Sequence, residues 1–167
     1  MVNEMNTLQG KHIVCLGGGI GTVNLLKGLK HYGAKLTVIV SMADEGGSSG
    51  RLKRLYNVFP SGDLISCMAA LTNDEAYASL LTYRFPGNRY GNDSALSGHK
   101  LGNLLMVAAQ SVSSSYQEAI DLLRKMTNTG DFIYPATAEH VRLTALTVDG
   151  TKVEGEENID LGKYNGK

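Results

Sequence analysis

The chain has 167 residues with 16 Lys and Arg against 16 Asp and Glu, so its formal net charge is zero and no field steers it to nucleic acid or to a membrane surface. Its 43% hydrophobic and 19% charged content fits one globular domain with a real core, and the length is too short for two comfortable ones. No apolar run is long enough to span a bilayer and the polar start is no signal peptide, so a cytoplasmic protein is expected.

Residues 1–10 read as a disordered tail and residues 11–167 as the domain. Ile13–Leu16 is a short apolar run that reads as a buried strand, and Val23, Leu26 and Leu29 mark one face of a following helix. Between them lies the turn Gly17-Gly18-Gly19-Ile20-Gly21-Thr22. A strand that feeds a helix through glycines presents backbone N–H groups at the positive end of the helix dipole, which is a phosphate seat. The P-loop template fails, because Gly21 is followed by Thr22-Val23 instead of a Lys-Ser or Lys-Thr pair. The dinucleotide template fails too: its sixth position is Thr22 or Asn24, and the second strand, Leu36–Val40, ends on Ser41 with no ribose-binding acid.

Next comes a polar stretch, Ala43 to Leu52, that reads as a loop rich in donors. Within it Gly46, Gly47 and Gly50 free the backbone, Ser48 and Ser49 offer hydroxyls, and Arg51 offers a planar fork to phosphate. Asp44 falls at the carboxyl edge of the sheet and suits Mg²⁺ or a ribose hydroxyl. The Gly-x-Ser-x-Gly pattern of Gly46–Gly50 is no hydrolase elbow, since Met42 to Glu45 separate it from the strand. Gly62 and Asp63 open a helix carrying Leu64, Ile65, Met68 and Leu71; Asp63 reads either as its cap or as a ligand contact. Thr72 and Glu75 suggest a capping box for the next helix, and Pro86 to Ser94 reads as a loop. His99 and Lys100 precede an apolar helix with Asn103 in its first turn; His99 suits phosphate binding or acid–base work. Ser115 and Glu118 cap the helix after that. Phe132-Ile133-Tyr134 reads as a third strand, and Asp149-Gly150 marks a C-terminal hairpin. Cys15 and Cys67 read as buried small hydrophobes, and the four histidines show no metal-ligand spacing, so no His/Cys metal site is expected.

Taken in order, GGGIGTVNLLKGL, ADEGGSSGRL, PSGDLISCMAAL, YRF, SGHKLGNLL, YPAT and VDGTKVEGEENI resemble the YvcK-like bacterial proteins labelled gluconeogenesis factors, whose fold is shared with 2-phospho-L-lactate transferase. The resemblance runs from Lys11 to Ile159. It implies a Rossmann-like three-layer α/β domain with a parallel sheet and a nucleotide-diphosphate ligand, a UDP-sugar in this branch. It implies a part in carbon metabolism, gluconeogenic growth, cell-wall supply and cell shape rather than a settled catalytic activity. Matched by motif, the ligand-binding residues are Gly17, Gly18, Gly19, Gly21, Thr22, Asp44, Gly46 to Arg51, Gly62, Asp63, His99 and Asn103; Lys100, where the chain departs from the motif, adds a cation that with His99 suits an anionic ligand such as a diphosphate. The alternative is a transferase acting on a nucleotide-activated donor with Mg²⁺ at Asp44, with Asp44, Asp63 and His99 as catalytic candidates. This chain departs from the family pattern at Glu45, at Ile65 and Lys100 (where the family carries arginine and serine), and at Thr129-Gly130-Asp131. The family is also roughly twice this length, which suggests its front part only. A homo-oligomer is expected, with an apolar patch around Leu104, Leu105 and Ala108.

Overall fold

Strand β1 (His12–Gly17) passes through Gly18 into helix α1 (Gly19–Leu29), and a short 3₁₀ turn and a left-handed Gly33 deliver the chain to strand β2 (Lys35–Val40). A computed structural model describes residues 8–44, 46–87 and 95–163. Helices α2 (Gly47–Tyr56), α3 (Gly62–Leu71), α4 (Glu75–Thr82), α5 (Leu101–Val112) and α6 (Tyr116–Met126) follow, then strand β3 (Phe132–Pro135). Strands β4 (Thr144–Leu146) and β5 (Lys152–Glu154) form the expected antiparallel hairpin, and a short helix α7 (Glu156–Asp160) comes last.

The main sheet is parallel with order β1-β2-β3, and Cys15 and Ile133 both lie opposite Val38 of the central strand. Parallel strands need crossover connections, and these helices supply them. Asp131 Oδ1 accepts from Leu36 N at 2.8 Å and pins the start of β3 to β2. The inner face of the sheet (Cys15, Leu36, Val38, Val40, Ile133) packs on α1, α3 and α6 in one core. Helix α3 lies deepest, with Leu64, Ile65, Cys67 and Met68 all buried. The architecture is the α/β class expected, a parallel three-strand sheet flanked by helices.

Several local expectations change. Ala43 to Leu52 is not a loop throughout, since from Gly47 onward it is helix α2, ending on Asn57 in the left-handed region (φ 52°). Its first turn carries too few apolar groups for a periodicity to show, and it is buried because Gly47, Ser48, Ser49 and Gly50 are small. The cap of α4 is Asp74, whose Oδ1 accepts from Ala76 N and Tyr77 N at 2.9 and 3.2 Å. Thr72 is buried instead and donates to Thr127 O at 2.8 Å. Ser115 does cap α6, accepting from Glu118 N at 3.2 Å.

Order reaches back at least to Leu8, whose N–H donates to Tyr32 O, so residues 8–10 of the expected tail form a turn. Residues 1–7 of that tail, residues 88–94 of the Pro86–Ser94 loop, and Glu45 lie outside the described residues. On α5, Leu104 and Leu105 are half-buried and only Ala108 is exposed, so the main apolar exposure lies elsewhere. It lies on β1, where Val14 is 52% and Leu16 76% exposed, although Ile13–Leu16 reads as a buried strand.

Candidate functional site

A cleft of about 770 Å³ opens beyond the carboxyl ends of β1 and β2, the position at which open α/β sheets take ligands. Four helices bring their first turns to it: α1 through Gly19 and Ile20, α2 through Ser48 and Ser49, α3 through Gly62 and Asp63, and α5 through Lys100 and Asn103. Each helix start turns its first N–H groups, which lie outside the i→i−4 ladder of the helix, and the positive end of its dipole toward the cleft, so the cleft is biased toward anions. Lys27, Arg84 and Lys100 add cationic side chains to the wall, and Asp44, Asp63 and Glu156 add carboxylates.

Two of the glycines stand in close approach to other side chains. A Cβ on Gly18 would strike the carboxylate of Asp63. A Cβ on Gly62 would stand 2.6 Å from Ser49 Oγ and would also strike the Asp44 carboxylate. Asp63 sits in the first turn of α3, following Ser61 at the N-cap, and lies against the glycine turn of α1. The Gly46 N–H at the start of α2 donates to Glu156 Oε2 at 2.8 Å and, at a long 3.4 Å, to Asp44 Oδ1. Both expected phosphate seats thus have one of the protein's own carboxylates packed on them.

Behind the wall lies a buried polar group. Ser48 Oγ is 2.7 Å from His99 Nδ1, and Asn103 Nδ2 donates to Ser48 Oγ at 3.3 Å and to Ser49 Oγ at 3.5 Å. Burial first, then the Arg51 and Arg84 guanidiniums, hold the His99 pKa below its ordinary value, so the ring is neutral near pH 7. The tautomer of the neutral His99 ring sets which of the two groups donates in the Ser48 contact, and Asn103 Nδ2 donates to the same Ser48 oxygen in either case. The arginines clamp the turn that carries His99: Arg51 donates to Ser97 O, and Arg84 Nη1 to Gly98 O at 2.6 Å. Lys100 Nζ donates to Ser66 Oγ at 2.9 Å, and that hydroxyl in turn donates to Gly62 O at 2.7 Å. Lys100 thus sets a cation near the start of α3, whereas Ile65 faces the core.

Of the residues picked out by sequence, Gly19, Asp44, Ser48, Ser49, Gly62, Asp63, Lys100 and Asn103 line the cleft. Gly17, Gly18, Gly21, Thr22, Gly46, Gly47, Gly50, Arg51 and His99 do not line it; His99 is 2% exposed and reaches the cleft only through Ser48. Lys27, Ser66 and Glu156 line the cleft without having been picked out. Lys27, Ser66, Arg84 and Glu156 all fall inside quoted motifs, GGGIGTVNLLKGL, PSGDLISCMAAL, YRF and VDGTKVEGEENI, and could have been found there. Among the described residues, no group of three or more His, Cys, Asp or Glu side chains is arranged to hold a metal ion, and no helix is long and apolar enough to cross a membrane.

Comparison with known proteins matches residues 13–167 to the family model described as 2-phospho-L-lactate transferase CofD. A Nostoc protein named "Putative gluconeogenesis factor" is 41% identical over 90% of this chain and 32% of its own length. A Thermotoga maritima protein of the same name is 40% identical over 88% of this chain and 46% of its own. A crystal structure of a Bacillus halodurans protein superposes with a TM-score of 0.81 at 34% identity, covering 94% of this chain and 50% of that one. A second crystal structure of that protein, described as a member of the UPF0052 family, gives a TM-score of 0.78 at 35% identity over 89% and 47%. The chain spans about half, or less, of the length of these relatives.

Proposed function

The chain belongs to the 2-phospho-L-lactate transferase CofD family, and we propose that it binds a nucleotide sugar of the UDP-sugar class, acting in carbon metabolism, gluconeogenic growth and cell-wall supply. One observation carries the reading: four helix starts and the cations Lys27, Arg84 and Lys100 converge on one cleft at the carboxyl edge of a parallel sheet. Such a concentration of donors and positive potential suits a diphosphate. The carboxylates of Asp44, Asp63 and Glu156 on the same cleft suit sugar hydroxyls, which donate to them. Relatives named gluconeogenesis factor support the metabolic side of the reading.

A second reading, transfer from a nucleotide-activated donor, is favoured by Asp44 and Asp63 standing on the same cleft. Two carboxylates suffice for a Mg²⁺ bound mainly through ligand phosphates and water. Thermal-shift measurements with UDP-glucose, UDP, GDP and NAD, each with and without Mg²⁺, separate the two. The binding reading expects stabilisation by UDP-glucose of ~2.7 kcal/mol at a hundredfold excess over Kd, without Mg²⁺. Stabilisation by NAD alone would falsify the nucleotide-sugar assignment, and stabilisation only with Mg²⁺, accompanied by turnover, would favour the transferase.

A further inference from the structure

We infer that the segment Gly155–Asp160 is a latch: Glu156 occupies the start of α2 in the place of a ligand phosphate, and an anion entering the cleft moves it onto the cations of a second cleft. The proposal rests on the anion reading of the main cleft and concerns its regulation. The helix starts are of two kinds. Helices α4 and α6, whose opening residues do not line the cleft, are capped by the side chains of Asp74 and Ser115. Helices α1, α2, α3 and α5, whose starts meet at the cleft, have no side-chain cap among the described residues preceding them. Helix α2 instead receives a carboxylate from 110 residues along the chain, since the Gly46 N–H donates to Glu156 Oε2 at 2.8 Å. A carboxylate at a helix start is favourable, but this one fills with the protein's own charge an N–H that a phosphate would use.

The element that carries Glu156 is lightly held. Helix α7 has five residues, none of them buried, and it packs chiefly on β5. It begins at Gly155, whose φ of 87° is a conformation that favours glycine, and the Gly155 N–H donates to Leu143 O at 2.8 Å. That bond fixes the base of the segment to the hairpin. Further along, Glu157 pairs with Arg54 of α2 at 3.7 Å, and the Arg54 side chain is 62% exposed. A pair so exposed adds little, so the segment opens at low cost.

Glu156 also has somewhere to go. It lines a second cleft of about 750 Å³, between α2, the end of β5 and α7, whose cations are Lys53, Arg54 and Arg142. None of these three lines the main cleft. Arg142 pairs with Glu154 at 3.3 Å and Arg54 with Glu157, yet a guanidinium has five N–H donors and can take a second carboxylate. Glu156 thus has two stations, the start of α2 and the cations behind it. A diphosphate at the first repels it toward the second. Ligand and latch compete for one seat, so occupancy of the cleft is passed to the surface formed by the hairpin and α7.

The test is a double-mutant cycle on this chain, read by calorimetric titration of inorganic pyrophosphate, with amide chemical shifts as a second measurement. Glu156→Gln keeps an acceptor oxygen for the Gly46 N–H and should bind pyrophosphate about fivefold more tightly. Arg142→Gln should bind it about threefold more weakly in the native background, but within about 1.5-fold of its parent in the Glu156→Gln background, because only a charged Glu156 needs the second station. Pyrophosphate should also shift the amide resonances of Gly155 and Asn158 in the native chain. An equal loss from Arg142→Gln in both backgrounds would reduce its effect to long-range charge and overturn the latch. So would saturation by pyrophosphate with those two resonances unmoved. Binding that Glu156→Gln leaves unchanged or weakens overturns the latch while the anion reading of the cleft stands. Absence of binding to both the native chain and Glu156→Gln overturns that reading, and the latch with it.

Discussion

Gly17–Thr22 and Gly46–Arg51 each end a link from a parallel strand into a helix, yet the carboxylate packed on each comes from a different depth of the molecule. Asp63, against the first, belongs to α3, the most buried helix. Glu156, bonded to the second, belongs to α7, a five-residue helix with no buried residue. The first carboxylate is fixed by the core, whereas the second is held by a peripheral segment that can be displaced at lower cost. Similar glycine content therefore carries one carboxylate from a core helix and one from a peripheral helix.

The largest expected effects come from the close approaches that define the seats. Gly18→Ala and Gly62→Ala should each lower stability by about 1–3 kcal/mol in urea unfolding, because the new Cβ meets a carboxylate held by α3 or at the end of β2. Gly19→Ala meets nothing within 4 Å and costs only its left-handed backbone (φ 65°), about 1 kcal/mol. If all three cost the same, the packing account of the glycines is wrong.

A smaller effect separates the two carboxylates. Glu156→Gln should raise affinity for inorganic pyrophosphate about fivefold, equivalent to ~1 kcal/mol, by removing a competing charge from the start of α2. Asp63→Asn should lower stability by up to about 1 kcal/mol, since it removes a negative charge from the first turn of α3. Calorimetric titration paired with unfolding curves reads both. Unchanged pyrophosphate affinity in Glu156→Gln would remove the distinction between a fixed and an exchangeable seat.

The smallest effect sharpens how the α2 seat is supported from behind. His99 is neutral in the fold and its pKa is lowered there, so below about pH 6.5 the unfolded chain binds a proton that the folded chain does not. Stability should be full above that pH and fall progressively as pH drops through the window down to the folded value. His99→Gln should flatten this part of the pH profile. A profile with the same slope in the variant would assign the dependence to other groups.

The sequence alone determined the β1-turn-α1-β2 unit, the third strand and the hairpin, because each is fixed by short-range signals: apolar runs, 3.6-residue spacing, Asp149-Gly150. It also marked eight of the cleft residues, since glycines and acids at strand ends have few roles other than turns and ligands. It could not show that Gly47–Tyr56 is a helix, because burial among small residues leaves no apolar period to read. It misread the cap of α4, because only packing reveals that Thr72 is bonded to Thr127, far along the chain. Lys27, Ser66, Arg84 and Glu156 meet at one cleft only after four helices have been stacked on the sheet. The exposure of Val14 and Leu16 was likewise decided by strand order, which places β1 at the edge: an apolar run records that a strand is suited to burial, and only the tertiary arrangement decides what lies against it.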